Sequence, residues 1–354
     1  MFWASRSAPT GVAADLVALR DGKLVPISDA ESFFEFLQQK VELQETMRRP
    51  DPRSVDLLIA SAKQYLSRAE HRIQLSELVA EEVRRLQEQV VDAKFGPQGP
   101  WSVEEFRKRV ARYQSITEPL ARLFGILGRW GTGGENGLAQ DVLQTLWRRP
   151  AMSGLTAFIE LQDYPAVLIF VAYALGLIKA NRYLELYQWF SLLLDRENDE
   201  RRRAIEVLFL GQWAGGKGVW QTLEGLEKRN TPLSDYLHSL FKTWCQDYMI
   251  GKFSLGTLFA EYEIFGALAF LTLQSSKKEL DEALGQTGQH NYVWFPVGRS
   301  AWDTDSRNRV FADLRSGRLR EVALRAGFAQ GDAAFLDSAL ENLGRFMSLI
   351  EWRL

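Results

Sequence analysis

Between residues 55 and 91 apolar side chains return every third or fourth position, first as Val55, Leu58, Ala62, Leu66, Ala69 and Ile73, then as Leu78, Val79, Val83, Leu86 and Val90. That spacing stacks them on one stripe of an α-helix and predicts one long helix or two stacked ones, with the charges of EEVRR on the wet face. FGPQGP at 95–100 then reads as a turn, and Ser102 with Glu105 forms a capping box opening a helix that runs through Arg122. The glycines of GRWGTGGENG at 128–137 make the loosest loop of the chain. After it, 141–148, 152–162, 165–180 and 182–194 read as short helices, with Pro165 in a first turn where its missing N–H costs nothing.

The pair 165–180 and 182–194, joined at Asn181, has the form of a tetratricopeptide-like hairpin, in which Ala172, Ala174 and Gly176 permit close packing. No second copy follows at a fixed period, so the pattern predicts helix-on-helix packing rather than a solenoid. From Thr231 onward the helical period continues, except at HNYVWFPVGRSAW (290–302), where Pro296 and Gly298 mark an ordered loop or short strand.

The first 45 residues differ. MFWASRS and GKLVPI have strand character, and DAESFFEFLQQKV is amphipathic, with Asp29 as cap and Phe33, Phe34, Phe36, Leu37 and Val41 apolar. Two short strands do not support themselves, so this strand-loop-strand-helix piece docks on the helical body or completes a sheet supplied elsewhere. The two prolines of RRPDPR (48–53) mark a boundary. The expected fold is mainly α, a multi-helix array of packed helical hairpins with a small N-terminal α/β segment. Its expected parts are 1–47, a long-helix region at 48–130, and a helical module at 131–354 that carries the aromatic loop.

Composition narrows the picture without redirecting it. A 46% hydrophobic and 25% charged chain of 354 residues belongs to the globular class and holds enough for one large core or two. Its 43 basic and 45 acidic residues leave a net charge of -2, so no global field favours a polyanion. The one local run, Arg201 to Arg203, follows the acidic stretch 195–200 and is largely neutralised by it. A single cysteine, Cys245, excludes an internal disulfide framework and a cysteine zinc site, and fits a reducing, cytoplasmic setting. His71, His238 and His290 lie far apart, so neither metal nor cofactor is expected. The apolar run Pro165–Ile178 is shorter than the ~20 residues that cross a bilayer, and the N-terminus lacks the signal-peptide pattern.

Candidate chemistry is sparse. Gly211-Gln-Trp-Ala-Gly-Gly216-Lys217-Gly218 nearly fits a phosphate-binding loop, in which glycine N–H groups cradle phosphates and the lysine reaches the outer ones. Gly218 stands where the magnesium-binding hydroxyl belongs, and 198–210 ahead of it follows a helical period instead of the required strand. Gly211, Gly216 and Lys217 are therefore candidate nucleotide contacts against a background reading of an interhelical loop. Glu261 with Glu263 reads as two faces of one helix, and Asp303 with Asp305 as a helix start. Serines lack a G-x-S-x-G elbow. Trp294, Phe295, Arg299 and Trp302 combine the residue types that dominate protein contacts and form a candidate partner surface, set against packing of the loop onto the core.

FWASRS followed by LVPISDAESFFEFL resembles the last strands and helix of the sirtuin-like nucleotide-binding domains of bacterial anti-phage defence proteins. YPAVLIFVAYALGLIKANRY, TPLSDYLHSL and WFPVGRSAW resemble the helical C-terminal module attached to such domains. The resemblance implies a glycine-rich NAD site with an acting asparagine and histidine, yet no histidine precedes His71 and the early βαβ unit has no counterpart. No NAD-hydrolysing residue is carried over. The implied role is a non-catalytic sensing or assembly module, with an effector chain, a phage component or a second copy as partner. A nucleotide-binding regulator using Gly211–Gly218 and a general helical scaffold are the alternatives.

Overall fold

The computed structural model describes Trp3–Ser5, Asp15–Arg20 and Lys23–Ile27, then 55–91, 96–148, 153–196, 201–210, 216–248, 255–286 and 291–351. The chain forms two compact units, Met1–Leu58 and Ile59–Leu354.

In the first unit β1 (Trp3–Ser5), β2 (Asp15–Arg20) and β3 (Lys23–Ile27) form an antiparallel meander in that order. The sequence reading gave β1 and β3 and missed β2. Its signal was present, because Arg20 pairs with Lys23 and leaves only Asp21-Gly22 between the strands, a dipeptide favoured in tight hairpins. The helix expected over 29–41 and the break at 48–53 lie outside the described residues.

The rest is helical. α1 (Val55–Leu66) and α2 (Arg72–Val90) are two helices, separated by a short 3₁₀ turn at Ala69–His71. The break takes Ala69 and Ile73 off the stripe that their spacing implied, and Ile73 is 70% exposed. α3 (Val103–Trp130) opens on Ser102, whose hydroxyl accepts the Glu105 N–H as expected, and runs on past Pro119. α4 (Glu135–Trp147) and α5 (Thr156–Leu161) lead to α6 (Tyr164–Lys179) and α7 (Tyr183–Ser191). A minimal antiparallel pair, β4 (Leu193–Leu194) with β5 (Arg202–Arg203), precedes α8 (Ala204–Leu208). α9 (Lys217–Trp220), α10 (Pro232–Trp244), α11 (Leu255–Gln274), α12 (Lys277–Gly285), α13 (Thr304–Ser316), α14 (Arg318–Ala326) and α15 (Ala333–Glu351) complete the array.

Two helices form its centre. α6 is buried on every side from Tyr164 to Ile178, and α11 is buried from Leu258 to Ala269 and again at Leu271 and Thr272. A helix apolar all round belongs inside a large core. α11 is also long and apolar enough to cross a membrane, but 78% of its most apolar window is buried inside the protein. The main partner of α6 is α3 rather than its sequence neighbour α7, so the tetratricopeptide-like pairing is secondary. Glycine sets this crossing: a Cβ on Gly128 would lie 2.6 Å from the Tyr173 carbonyl oxygen, and one on Gly176 would meet the Gly125 carbonyl. α3 and α6 meet backbone to backbone within the unit that runs from Ile59 to Leu354.

The glycine loop after α3 is tied down. Arg182 reaches it from the start of α7, donating to the Gly131 carbonyl at 3.0 Å and to Asn136 Oδ1 at 3.1 Å. Glu135 accepts the N–H groups of Thr132 and Gly133 at 2.8 and 3.1 Å. Composition signalled a loose loop, and a buried carboxylate with an arginine overrides it.

Candidate functional site

The aromatic segment is a loop fixed to the core by a carboxylate. Glu263, 2% exposed on α11, accepts the Arg299 N–H at 3.1 Å, the Ser300 N–H at 2.7 Å, and the hydroxyls of Ser234 and Ser300. Burial pushes its pKa up, and these donors pull it back. Gly298 has to be glycine because any Cβ there would collide with that carboxylate. At the other end of the loop Asn342, fully buried on α15, accepts the Val293 N–H at 2.7 Å and donates to its carbonyl at 2.9 Å, the two bonds a neighbouring strand would make.

The four aromatic-loop candidates therefore divide. Phe295 is fully buried with its ring edge on Phe346 at 4.8 Å, and its assignment as a partner contact is corrected to core packing. Arg299 lies over the Trp302 ring at 4.7 Å and pairs with Asp303 at 3.2 Å, while Arg229 approaches the same indole at 5.2 Å. Trp302 Nε1 donates to Thr231 Oγ1 at 3.1 Å. Trp294 alone of the four stands out, 53% exposed with Phe270 at 6.1 Å.

Trp294 borders a cleft of about 370 Å³ that is also lined by residues the sequence did not single out. There Arg196 stacks on the Trp147 ring at 3.8 Å and pairs at 2.7 Å with Asp163, whose side chain is 5% exposed. Its Nε is buried and has no hydrogen-bond partner among the described residues. Arg196 was read as part of a self-neutralising charged stretch, and for its neighbour Arg201 that holds, since Arg201 grips Asp195 at 2.6 and 3.2 Å. Arg196 escapes this balance because its partner comes from the start of α6, a contact that local charge counting does not detect.

The remaining candidates do not assemble a catalytic group. Ser234, His238 and Glu263 lie close in the fold, but the Ser234 hydroxyl is donated to Glu263 rather than to the imidazole. His238 Nε2 has no hydrogen-bond partner among the described residues, and burial with the nearby Arg299 lowers its pKa to about 4. Burial raises Glu261, which accepts the Tyr183 hydroxyl at 2.8 Å, and Asp235, held by Thr231 at 3.1 Å. Burial pushes the Cys245 thiol up to about 12, with its sulfur 2.9 Å from the Tyr248 hydroxyl, which makes it a poor nucleophile. Asp303 caps α13 by accepting the Ser306 N–H, as its spacing implied.

Of the glycine-loop candidates, Gly211 lies outside the described residues. Gly216 takes a positive φ of 76° and leads into the four-residue α9, where Lys217 donates to Asn230 Oδ1. Helix α8 occupies 204–208, where a phosphate loop needs a strand. Among the described residues no group of three or more histidine, cysteine, aspartate or glutamate side chains is arranged to hold a metal. No known protein family, curated protein or solved structure matches the chain.

Proposed function

We propose that this chain is a non-catalytic helical assembly module that binds a protein partner through the Trp294 cleft. The observation that carries it is one cleft lined both by an exposed tryptophan and by an arginine stacked on a second indole. Tryptophan and arginine supply a large contact area and forked hydrogen bonding at little ordering cost, and they dominate protein hot spots. Contacts from the core hold each of these residues. Trp147 ends α4, Arg196 is pinned by the first turn of α6, and Trp294 rides on a loop latched at both ends. The buried acids support the non-catalytic half of the reading, because each is engaged by a hydrogen bond, Glu261 and Glu263 joining separate elements and Asp235 tying the first turn of α10 to its cap residue Thr231.

The cellular setting rests on the sequence resemblance alone. On that basis the module works in the cytoplasm in anti-phage defence, and its partner is an effector chain with a sirtuin-like domain, a phage component or a second copy. Among the described residues nothing in the geometry favours the nucleotide alternative.

Sedimentation velocity of the purified chain, alone and mixed with a chain carrying a sirtuin-like domain, tests the reading. Association is expected in one of the two samples and is expected to be lost in Trp294→Glu, with no turnover of NAD, ATP or GTP. Measured turnover, or association indifferent to Trp294→Glu, overturns it.

A further inference from the structure

A second concavity lies apart from the Trp294 cleft. It is a groove of about 740 Å³ between α13 and α15, lined also by Asn291. Its charge is one-sided. Arg307 and Arg315 come from α13 and Arg345 from α15, against a single acid, Glu341. That acid is already paired with Arg345. Arg307 is anchored by donating to the Ala301 carbonyl at 3.0 Å, so its guanidinium is fixed in place at the edge of the core. Arg315 is exposed, and among the described residues no carboxylate pairs with it. It lies over the Phe311 ring at 5.7 Å and reaches toward α15, where a Cβ on Gly344 would come 3.9 Å from its nitrogen. Apolar surface runs beside these charges, including Leu349, 38% exposed.

We propose that this groove binds an acidic amphipathic peptide segment, its carboxylates on Arg315 and its apolar side chains along Leu349. Forked guanidinium groups match carboxylates and phosphates alike, so the apolar component decides between them. A nucleic acid would need an open aromatic face on which to stack a base. Phe311 offers none, being 6% exposed and covered by Arg315. A peptide with carboxylates on one side and leucines on the other satisfies both the cationic walls and the apolar strip. This site is independent of the Trp294 cleft, and either can fail without the other.

The test is fluorescence anisotropy with a fluorescein-labelled peptide carrying glutamates and leucines at helical spacing. The full chain is expected to bind it at low ionic strength and to weaken as sodium chloride is added. Arg315→Glu is expected to weaken binding about tenfold or more, because a cation becomes an anion against the ligand's own charge. Arg309→Glu, on the same helix but outside the groove, is expected to leave binding and melting temperature unchanged. Loss of affinity equal to that of Arg315→Glu in Arg309→Glu overturns the proposal. So does equal binding of the peptide with glutamines in place of glutamates, or stronger displacement by single-stranded oligothymidylate than by the unlabelled acidic peptide.

Discussion

Glycine is indispensable in two places in this molecule, for opposite reasons. Where α3 crosses α6, Gly128 and Gly176 let two backbones approach with no side chain between them, and dispersion across the contact does the holding. At the aromatic loop, Gly298 admits a buried carboxylate, and directed hydrogen bonds from Ser234, Arg299 and Ser300 do the holding. The first junction fails by being wedged apart. The second fails by losing an acceptor that several donors share. The comparison separates what sets the fold from what positions the surface proposed for binding.

Breaking the crossing has the larger effect. Gly176→Leu forces a side chain into the α3 backbone, where no neighbour can rotate away, and is expected to cost about 3 kcal/mol or more. Denaturant unfolding should show a lower midpoint for the helical unit as a whole, because α6 is its central helix. An unchanged midpoint would mean that the backbones are not in contact there.

Glu263→Gln is milder and local. The amide keeps one acceptor but turns a donor toward the N–H and hydroxyl groups that now share the carboxylate, at an expected cost of about 1–3 kcal/mol. Amide hydrogen exchange at Arg299 and Ser300 should accelerate while α3 and α6 stay protected. Acceleration spread evenly over the unit would merge the two junctions into one and remove the distinction.

The helical character was legible because the 3–4 spacing of apolar residues reports burial on one face, and the Ser102 and Asp303 caps were legible because capping is local. The all-buried helices were harder. With no polar face, α6 and α11 have no stripe to read, and nothing in the sequence tells which helix Gly176 meets. The proposed partner surface was half legible. Residue types flagged the loop, but adjacent Trp294 and Phe295 differ only in which side of the chain faces the core, and that is decided by Asn342 and Glu263 from far along the sequence. Arg196 and Trp147 come together only through tertiary packing.

The smallest expected effect concerns pH and sharpens the account of the loop junction. His238 faces Arg299, Asp303 and Lys242, and burial, reinforced by Arg299, brings its pKa down from 6.5 to about 4. Between those values the unfolded chain binds a proton that the folded chain refuses, so His238 subtracts stability as pH falls from 6.5 toward 4. Glu261, Glu263 and Asp235 act in the opposite sense, because burial raises them and their contribution is lost as pH rises above their ordinary values of 4.5 and 3.8. The wild-type curve therefore mixes both signs, and only a difference isolates the imidazole. His238→Gln cannot take up the proton, so unfolding free energies of variant and wild type should run parallel above pH 6.5 and diverge in favour of the variant toward pH 4. If the two curves stay parallel through that window, His238 is protonated at no cost, and the pocket under Arg299 is open to water rather than sealed by the loop.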